Sequence, residues 1–160
     1  MGFDLFGRNQ KSPKGEYFRS NVWWWRPLAE YVYNHTNCVD EKDVQAWAHN
    51  DGHEVSEAEA KAIAKQLQHL ISTGHTKRYA EQYEAERKAL EKHNEKIKKR
   101  LKKLEDKFPN LAPNEYHPIY KKKWDEIYDQ KKWGAHYPFS VNHVVEFAEF
   151  CKESGGFKIC

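Results

Sequence analysis

The residues best suited to chemistry lie in one short segment, 17–26, which reads YFRSNVWWWR. Indole faces stack on flat π-systems such as nucleobases, at about 1–3 kcal/mol per stacked base. Arginine guanidinium groups form paired hydrogen bonds to phosphate or carboxylate oxygens. Together these residue types predict a site for a small anionic ligand that carries a ring. The candidate contacts in the segment are Arg19, Asn21, Trp23, Trp24, Trp25 and Arg26.

Three adjacent tryptophans cannot all face the same way. In a helix or a strand, neighbouring side chains point in different directions. At least one indole of Trp23, Trp24 and Trp25 must therefore meet solvent, a second wall of the core, or a ligand. The alternative interpretation, in which the tryptophans are core and the two arginines lie on the surface, stays open at this point.

A second set of candidates lies further along the chain. Asn50 and Asp51 precede Gly52, and Asn-Asp-Gly is typical of a tight turn. Tyr137 lies in the aromatic segment before the last predicted helix. We include Asn50, Asp51 and Tyr137 among the predicted ligand-binding residues.

Metal binding and catalysis have weaker signals. The set His35, Cys38, His49 and His53 has the right ligand types for zinc, but its spacing matches no familiar zinc pattern. No nucleophile elbow, zinc-protease motif, P-loop or dinucleotide-binding motif occurs. We therefore expect no metal and no cofactor, and we assign no catalytic residue. A small metal-dependent hydrolase, acting through Asp4, Asp51 and nearby histidines, stays an alternative.

Helical signals recur between these segments. Pro27 suits a first helical turn, so we predict a helix near 27–35, with a short helix around 41–48 after it. Ser56 with Glu59 forms a capping box before a long apolar repeat that ends at Gly74. Ser140 caps a last helix, whose predicted buried stripe is Val141, Val144, Val145, Ala148 and Cys151.

The two ends of the chain are the only places where we expect strands. Residues 1–20 are punctuated by glycine and proline and predict coil or short extended structure. Within them, residues 3–6 can pair with the apolar residues 157–160 as a minimal two-stranded sheet.

The middle of the chain predicts an antiparallel helical hairpin. One apolar seam runs along the first helix and a second along the next, with a break at residues 109–113. Its members are Leu90, Ile97, Leu101, Leu104 and Phe108, then Tyr116, Tyr120, Trp124, Ile127 and Tyr128. We predict a body formed by residues 1–84 and 134–160, from which a hairpin insertion, 85–133, projects.

The hairpin is basic. Residues 86–132 carry 15 Lys and Arg against 9 Asp and Glu, whereas the whole chain has a net charge of only +3. Runs such as 98–100 and 121–123 could neutralise phosphates, so nucleic-acid binding is an alternative. A protein partner, or self-association into a homo-oligomer, is the other alternative for this surface.

The bulk composition narrows the class of protein. Aromatic residues make up 14 % of the 160 residues, so an aromatic core is expected. The mean hydropathy is −1.03, and no stretch approaches the roughly 20 apolar residues of a membrane span. The chain has only three cysteines, and such a small, odd number argues against a disulfide framework. We therefore expect a cytoplasmic protein with no membrane partner.

Two segments resemble a family of small uncharacterised bacterial and phage proteins. The opening MGFDLFG, followed by GEYFRSNVWWWRPL, is similar to the start of that family. YPFSV, FAEFC and SGGF are similar to its close. The resemblance covers about half of the chain and implies a bacterial cell or a phage as the source. It implies no activity and no site residues.

These observations predict a mostly α protein with a compact aromatic-cored helical body. The expected function is non-enzymatic binding of a small anionic ring-bearing ligand, such as a nucleotide or nucleotide signal. By analogy with small phage proteins that sequester such signals, an anti-defence role is one form of that function. Interaction through the basic hairpin and metal-dependent hydrolysis are the two alternatives.

Overall fold

The computed structural model describes residues 2–134 and 137–160. The helices are α1 (Val22–His35), α2 (Glu41–Ala46), α3 (Glu57–Ser72), α4 (His75–Glu105), α5 (Pro118–Tyr128) and α6 (Val141–Glu153). The strands are β1 (Gly2–Gly7), β2 (Tyr17–Asn21), β3 (Glu54–Val55) and β4 (Phe157–Ile159). Short 3₁₀ turns occupy Pro13–Gly15 and Pro113–Glu115. The prediction of a mostly helical fold with a small sheet is confirmed.

The chain divides into two compact units. The body comprises Met1–Glu84 and Tyr137–Cys160, and the hairpin unit comprises Ala85–His136. Each unit is described by itself below. Residues 135 and 136, which we predicted to belong to the body, lie outside the described residues.

The body contains a four-stranded antiparallel sheet in the order β2-β1-β4-β3. Leu5 of β1 lies opposite both Phe18 of β2 and Ile159 of β4. The predicted pairing of the two chain ends is therefore confirmed. Of the two options predicted for residues 1–20, coil or short extended structure, the second holds for β1 and β2, which form a hairpin whose alternate residues Phe3, Leu5, Phe18 and Ser20 are buried.

Helix α1 begins five residues earlier than predicted. The side-chain oxygen of Asn21 accepts hydrogen bonds from the backbone N–H groups of Trp23 and Trp24, each at 3.1 Å, and so caps the helix at Val22. Pro27 therefore lies inside the helix, where the Trp23 carbonyl lacks its usual N–H partner four residues on. The cap and the buried face of the helix outweigh that loss.

Two other helix starts agree with the sequence prediction. At α3, Ser56 and Glu59 form the predicted capping box, and Gly74 follows the helix with a φ of +76°. Because α3 ends at Ser72 and α4 starts at His75, the chain turns between these helices within two residues, Thr73 and Gly74, and Gly74 supplies the positive φ. The predicted short helix is α2, which Asp40 and Asp43 cap in the same reciprocal way.

The core of the body is aromatic, as expected. Its largest fully buried side chains are Trp25, Trp47, Tyr31, Phe147, Phe150 and Phe157. The Trp25 ring stacks on Phe3 at 5.4 Å, and its Nε1–H donates to the Trp47 carbonyl at 2.7 Å. On α6 the predicted stripe needs correction: Val141 and Val145 are only half-buried, and the two phenylalanines of the helix take the buried positions.

The hairpin unit holds the end of α4 against α5. The Asn94 side chain exchanges two hydrogen bonds with the Lys132 backbone, at 2.6 and 2.9 Å, and the Phe108 ring contacts Tyr120 near the other end. The two segments therefore run antiparallel, as predicted. Their buried cluster is small and consists of Ile97, Leu101 and Ile127.

The start of α5 differs from the predicted stripe. Tyr116 is buried but precedes the helix, which begins at Pro118, and Tyr120 is exposed. Among the described residues, no helix has the length and apolar composition needed to cross a membrane.

Candidate functional site

The three adjacent tryptophans separate as the sequence requires. Successive helix residues are turned by about 100°, so α1 directs the indoles to three sides. Trp25 is fully buried, at 0 % exposure, whereas Trp23 is 52 % exposed and Trp24 lies between these extremes. Trp25 is thus a core residue, and its assignment as a ligand contact was wrong.

Trp24 lines a shallow cleft of ≈ 260 Å³ in the body. The end of β2 and the first turns of α1 and α6 surround it. The cleft is lined by Arg19, Ser20, Asn21, Trp24, Ser140, Asn142, His143 and Glu146. We call this feature the helix-start cleft, because two helices begin at its edge.

The starts of α1 and α6 make the cleft favourable for an anion. The first N–H groups of a helix have no partner within the helix, and the helix dipole places partial positive charge there. Asn21 and Ser140 each cap one of these helices, and the Ser140 hydroxyl accepts from the His143 N–H at 3.2 Å. Two helix starts at one cleft add their partial charges.

Arg19 supplies the full positive charge of the cleft. The Arg19 side chain is 69 % exposed, and its Nε lies 3.7 Å from an Asp4 carboxylate oxygen, too far for a hydrogen bond. The Tyr17 hydroxyl donates to that same Asp4 oxygen. Asp4 therefore holds Arg19 only loosely, and the guanidinium can turn towards an anion in the cleft.

His143 forms the inner wall of the cleft. Its Nε2 lies 3.0 Å from the Ser20 hydroxyl, and the rings of Trp24 and Phe18 pack against it at 5.7 and 5.3 Å. Burial lowers the pKa of His143, and the Glu146 carboxylate, 4.0 Å from Nδ1, opposes this only in part. Near neutral pH the imidazole is therefore uncharged and behaves as an aromatic wall with a polar edge.

Ser20, His143 and Glu146 are the residue types of a hydrolase triad, but their geometry favours a structural role. A serine hydroxyl on a histidine nitrogen is the nucleophile–base pair of acyl-transfer enzymes. Ser20 is only 3 % exposed, which leaves almost no surface for a substrate carbonyl. The Glu146 carboxylate is also beyond hydrogen-bond distance of the ring. The Ser20–His143 pair therefore serves to join β2 to α6.

Trp23 and Tyr137 form an aromatic pair outside the cleft lining. Their rings stack at 5.3 Å with an interplanar angle of 27°, and the Tyr137 carbonyl accepts from the Tyr83 hydroxyl at 2.9 Å. Because Trp23 precedes Trp24 on the first turn of α1, this pair offers a partly exposed aromatic surface next to that turn.

Four of the predicted contacts have other positions or roles. Arg26 is exposed but does not line the cleft. It lies two positions after Trp24 on α1, and that spacing places it about 200° around the helix axis from Trp24. Asn21 has its side-chain oxygen engaged in the α1 cap. Asn50 donates to the Gly2 carbonyl at 2.7 Å, and Asp51 is exposed in the turn that Gly52 completes with a φ of +89°. Arg19, Asn21 and Trp24 are therefore the predicted residues that the structure brings together in the lining of one cleft.

Sequence reasoning missed the half of the cleft that α6 contributes. The missed residues are Ser140, Asn142, His143 and Glu146 at the start of α6, together with Ser20 of β2. Ser140 was identified only as a helix cap, and nothing in the spacing indicated that the start of α6 meets the start of α1, more than 100 residues earlier. The only signal available was that both segments carry a capping residue near aromatic side chains.

No candidate metal centre emerges from residues 2–134 and 137–160, where no group of three His, Cys, Asp or Glu side chains is placed to hold a metal ion. The His35 and His75 rings do pack edge-to-face at 4.8 Å, but their environment is aromatic. No family model matches the chain, and no curated protein or solved structure matches it.

Proposed function

We propose that the body is a binding protein whose helix-start cleft takes the anionic part of a small, ring-bearing ligand, most simply a nucleotide or nucleotide signal. The proposal rests on one observation: Arg19, Trp24 and residues from the first turns of α1 and α6 line the same cleft. No catalytic step is part of the proposal.

The charge distribution supports an anion over a cation. Arg19 and two helix starts favour negative charge, while Glu146 is the opposing group in the lining. The Asn142 side chain donates to Glu146 at 2.9 Å, which offsets part of the negative charge that this carboxylate brings to the lining. A phosphate in the cleft would meet Arg19 and the N–H group of Asn142, which as a first-turn group has no intrahelical partner.

The size of the cleft indicates where the ring would lie. At ≈ 260 Å³ the cleft is smaller than the roughly 300–1,000 Å³ of typical ligand pockets. It can hold a phosphate group but not a whole nucleotide. We therefore infer that the ring stacks at the edge, on Trp24 or on the half-exposed Trp23.

The resemblance to bacterial and phage proteins suggests which ligands to test first. A protein that sequesters a nucleotide signal needs affinity for the ligand and no chemistry on it, in keeping with the cleft described above. Cyclic dinucleotides, ADP-ribose derivatives and common nucleotides form the panel. If the ligand is a nucleotide signal of host defence, the biological role that we propose is to counter that defence by sequestering the signal.

The test is thermal stability of the full chain against that panel. A ligand at 100 times its Kd stabilises the fold by about 2.7 kcal/mol, which is readily visible. For the selected ligand we expect Arg19→Ala to weaken binding about 10- to 100-fold, because it removes a charged hydrogen-bond donor.

The matched control is Arg26→Ala, which removes the same charge from α1 outside the cleft. We expect it to change the affinity by no more than about threefold. A flat panel with folded protein would contradict the proposal. Equal losses from both arginine variants would also contradict it, since they would indicate non-specific attraction to a positive surface.

A further inference from the structure

The hairpin unit carries a groove with an apolar floor. Ile97 and Leu101 of α4 form that floor, and the groove encloses ≈ 500 Å³. Its lining residues are Glu91, Asn94, Glu95, Ile97, Lys98, Leu101 and Lys131. A volume in the range of ligand pockets is large enough for a bulky side chain. We call this feature the hairpin groove.

An exposed tryptophan lies next to the hairpin groove. Trp133 is 70 % exposed, and the Lys131 ammonium, which lines the groove, lies 4.9 Å from the centre of its ring. Trp133 itself is not part of the lining. Tryptophan is the residue type most enriched among those that dominate binding energy at protein interfaces. The unit thus offers an apolar groove and an exposed indole at its edge.

The charges along the groove are arranged so that two copies can complement each other. Glu91 and Glu95 lie towards the start of the groove, and Lys98 lies one turn further along α4. Two copies of α4 packed antiparallel would place the acidic end of each against the basic end of the other. Among the described residues, neither Glu95 nor Lys98 has an ion-pair partner.

We propose that the protein forms a two-fold symmetric dimer in which Trp133 of each copy enters the hairpin groove of the other. In a two-fold contact the same patch serves both copies. The inserted side chain, the groove that receives it and both charge signs must therefore lie on one surface. The hairpin unit supplies all three within about 50 residues. An unrelated partner would require none of this self-complementarity.

The dimer interface is independent of the helix-start cleft. All the residues that the dimer uses belong to the hairpin unit, whereas the cleft residues belong to the body. The failure of one proposal therefore leaves the other standing. Arg19→Ala, which tests the cleft, is expected to leave the dimer affinity unchanged.

Analytical ultracentrifugation of the full chain over a range of concentrations tests the dimer. We expect Trp133→Ala to raise the dimer Kd at least about 30-fold, the effect of losing a dominant interface side chain. The matched control is Ile119→Ala, which removes an apolar side chain that is 71 % exposed on the same unit but outside the groove. It is expected to change the Kd no more than about threefold.

Charge reversal separates a lost contact from a damaged hairpin. Glu95→Lys and Lys98→Glu should each weaken the dimer by placing like charges against each other. The double variant exchanges the two signs and should restore most of the affinity, which misfolding cannot do. A chain that stays monomeric at all concentrations would overturn the proposal. A dimer whose Kd is unchanged by Trp133→Ala and by both reversals would overturn it as well.

Discussion

The body and the hairpin unit reach their folded states by different routes. The body buries large aromatic side chains such as Trp25, Trp47 and Phe147 completely, and they contact one another across strands and helices. The hairpin unit buries a cluster centred on three aliphatic residues, Ile97, Leu101 and Ile127. Because hydrophobic stabilisation is proportional to the apolar area removed from water, burial of side chains stabilises the body more than the hairpin unit.

Polar contacts in the hairpin unit do not compensate for its smaller buried apolar surface. The unit carries ion pairs at i,i+4 spacing, of which Lys102–Asp106 is well exposed and Lys121–Asp125 is partly exposed. Exposed pairs of this kind contribute only about 0.3–0.5 kcal/mol each. The comparison predicts where single substitutions will cost most.

The largest effect is expected from Trp25→Ala in the body. It removes a fully buried indole, leaves a cavity, and deprives the Trp47 carbonyl of its hydrogen bond. We expect the free energy of unfolding to fall by about 3–5 kcal/mol, measured by chemical denaturation. Trp23→Ala, two residues away and half-exposed, is the matched control and should cost about 1 kcal/mol or less.

Similar losses from these two variants would break the comparison. They would mean that the buried indole stabilises the body no more than the surface indole stacked on Tyr137. A loss confined to Trp25→Ala would show instead that the aromatic cluster is the main source of stability. It would also establish that the run of three tryptophans divides between core and surface.

A smaller and local effect is expected from Ile97→Ala in the hairpin unit. The side chain belongs to a small cluster, so its loss should lower local stability by about 2 kcal/mol, the low end for such truncations. Hydrogen exchange should accelerate at residues 91–104 and stay unchanged in α3. Ile119→Ala, which is exposed, is the control. Faster exchange throughout the body would contradict the division into two separately stabilised units.

The difference between the units also explains what the sequence could predict. Helix α3 and the two helices of the hairpin follow local signals, since the capping box at Ser56 and the seam through Ile97 lie within single segments. The early start of α1 was also signalled locally, by Asn21, but Pro27 suggested a later start. Local patterns of this kind are read without knowing what packs against them.

The sheet and the helix-start cleft depend on contacts between distant segments. β1 pairs with β4 across almost the whole chain, and Ser20 meets His143 only because β2 packs on α6. The sequence pattern therefore predicted that Trp23, Trp24 and Trp25 must diverge, but not which one would reach a cleft. Contacts between residues more than 100 positions apart follow no fixed spacing in the sequence, so the pattern alone could not predict them.

The smallest effect is expected from pH and again concerns the body. Burial lowers the pKa of His143 and of His35 below the ordinary 6.5, with the neighbouring His75 adding to the effect at His35. As the pH falls through 6.5, the unfolded chain binds these protons before the folded chain does. Stability is therefore fully present above that pH and is lost progressively as the pH falls towards the folded-state pKa values.

Denaturation midpoints between about pH 8 and about pH 5 measure this loss. His143→Gln keeps a polar partner for Ser20 but no longer titrates, so its midpoint should fall less with acid than that of the unaltered chain. The carboxyl groups of Asp40 and Glu59 also have lowered pKa values, but their ordinary values of 3.8 and 4.5 place their effect at lower pH. An identical pH slope in the two proteins would show that His143 can be charged without loosening the join between β2 and α6. In that case the cleft would have a cationic inner wall under mild acid, and anion binding there should strengthen as the pH falls.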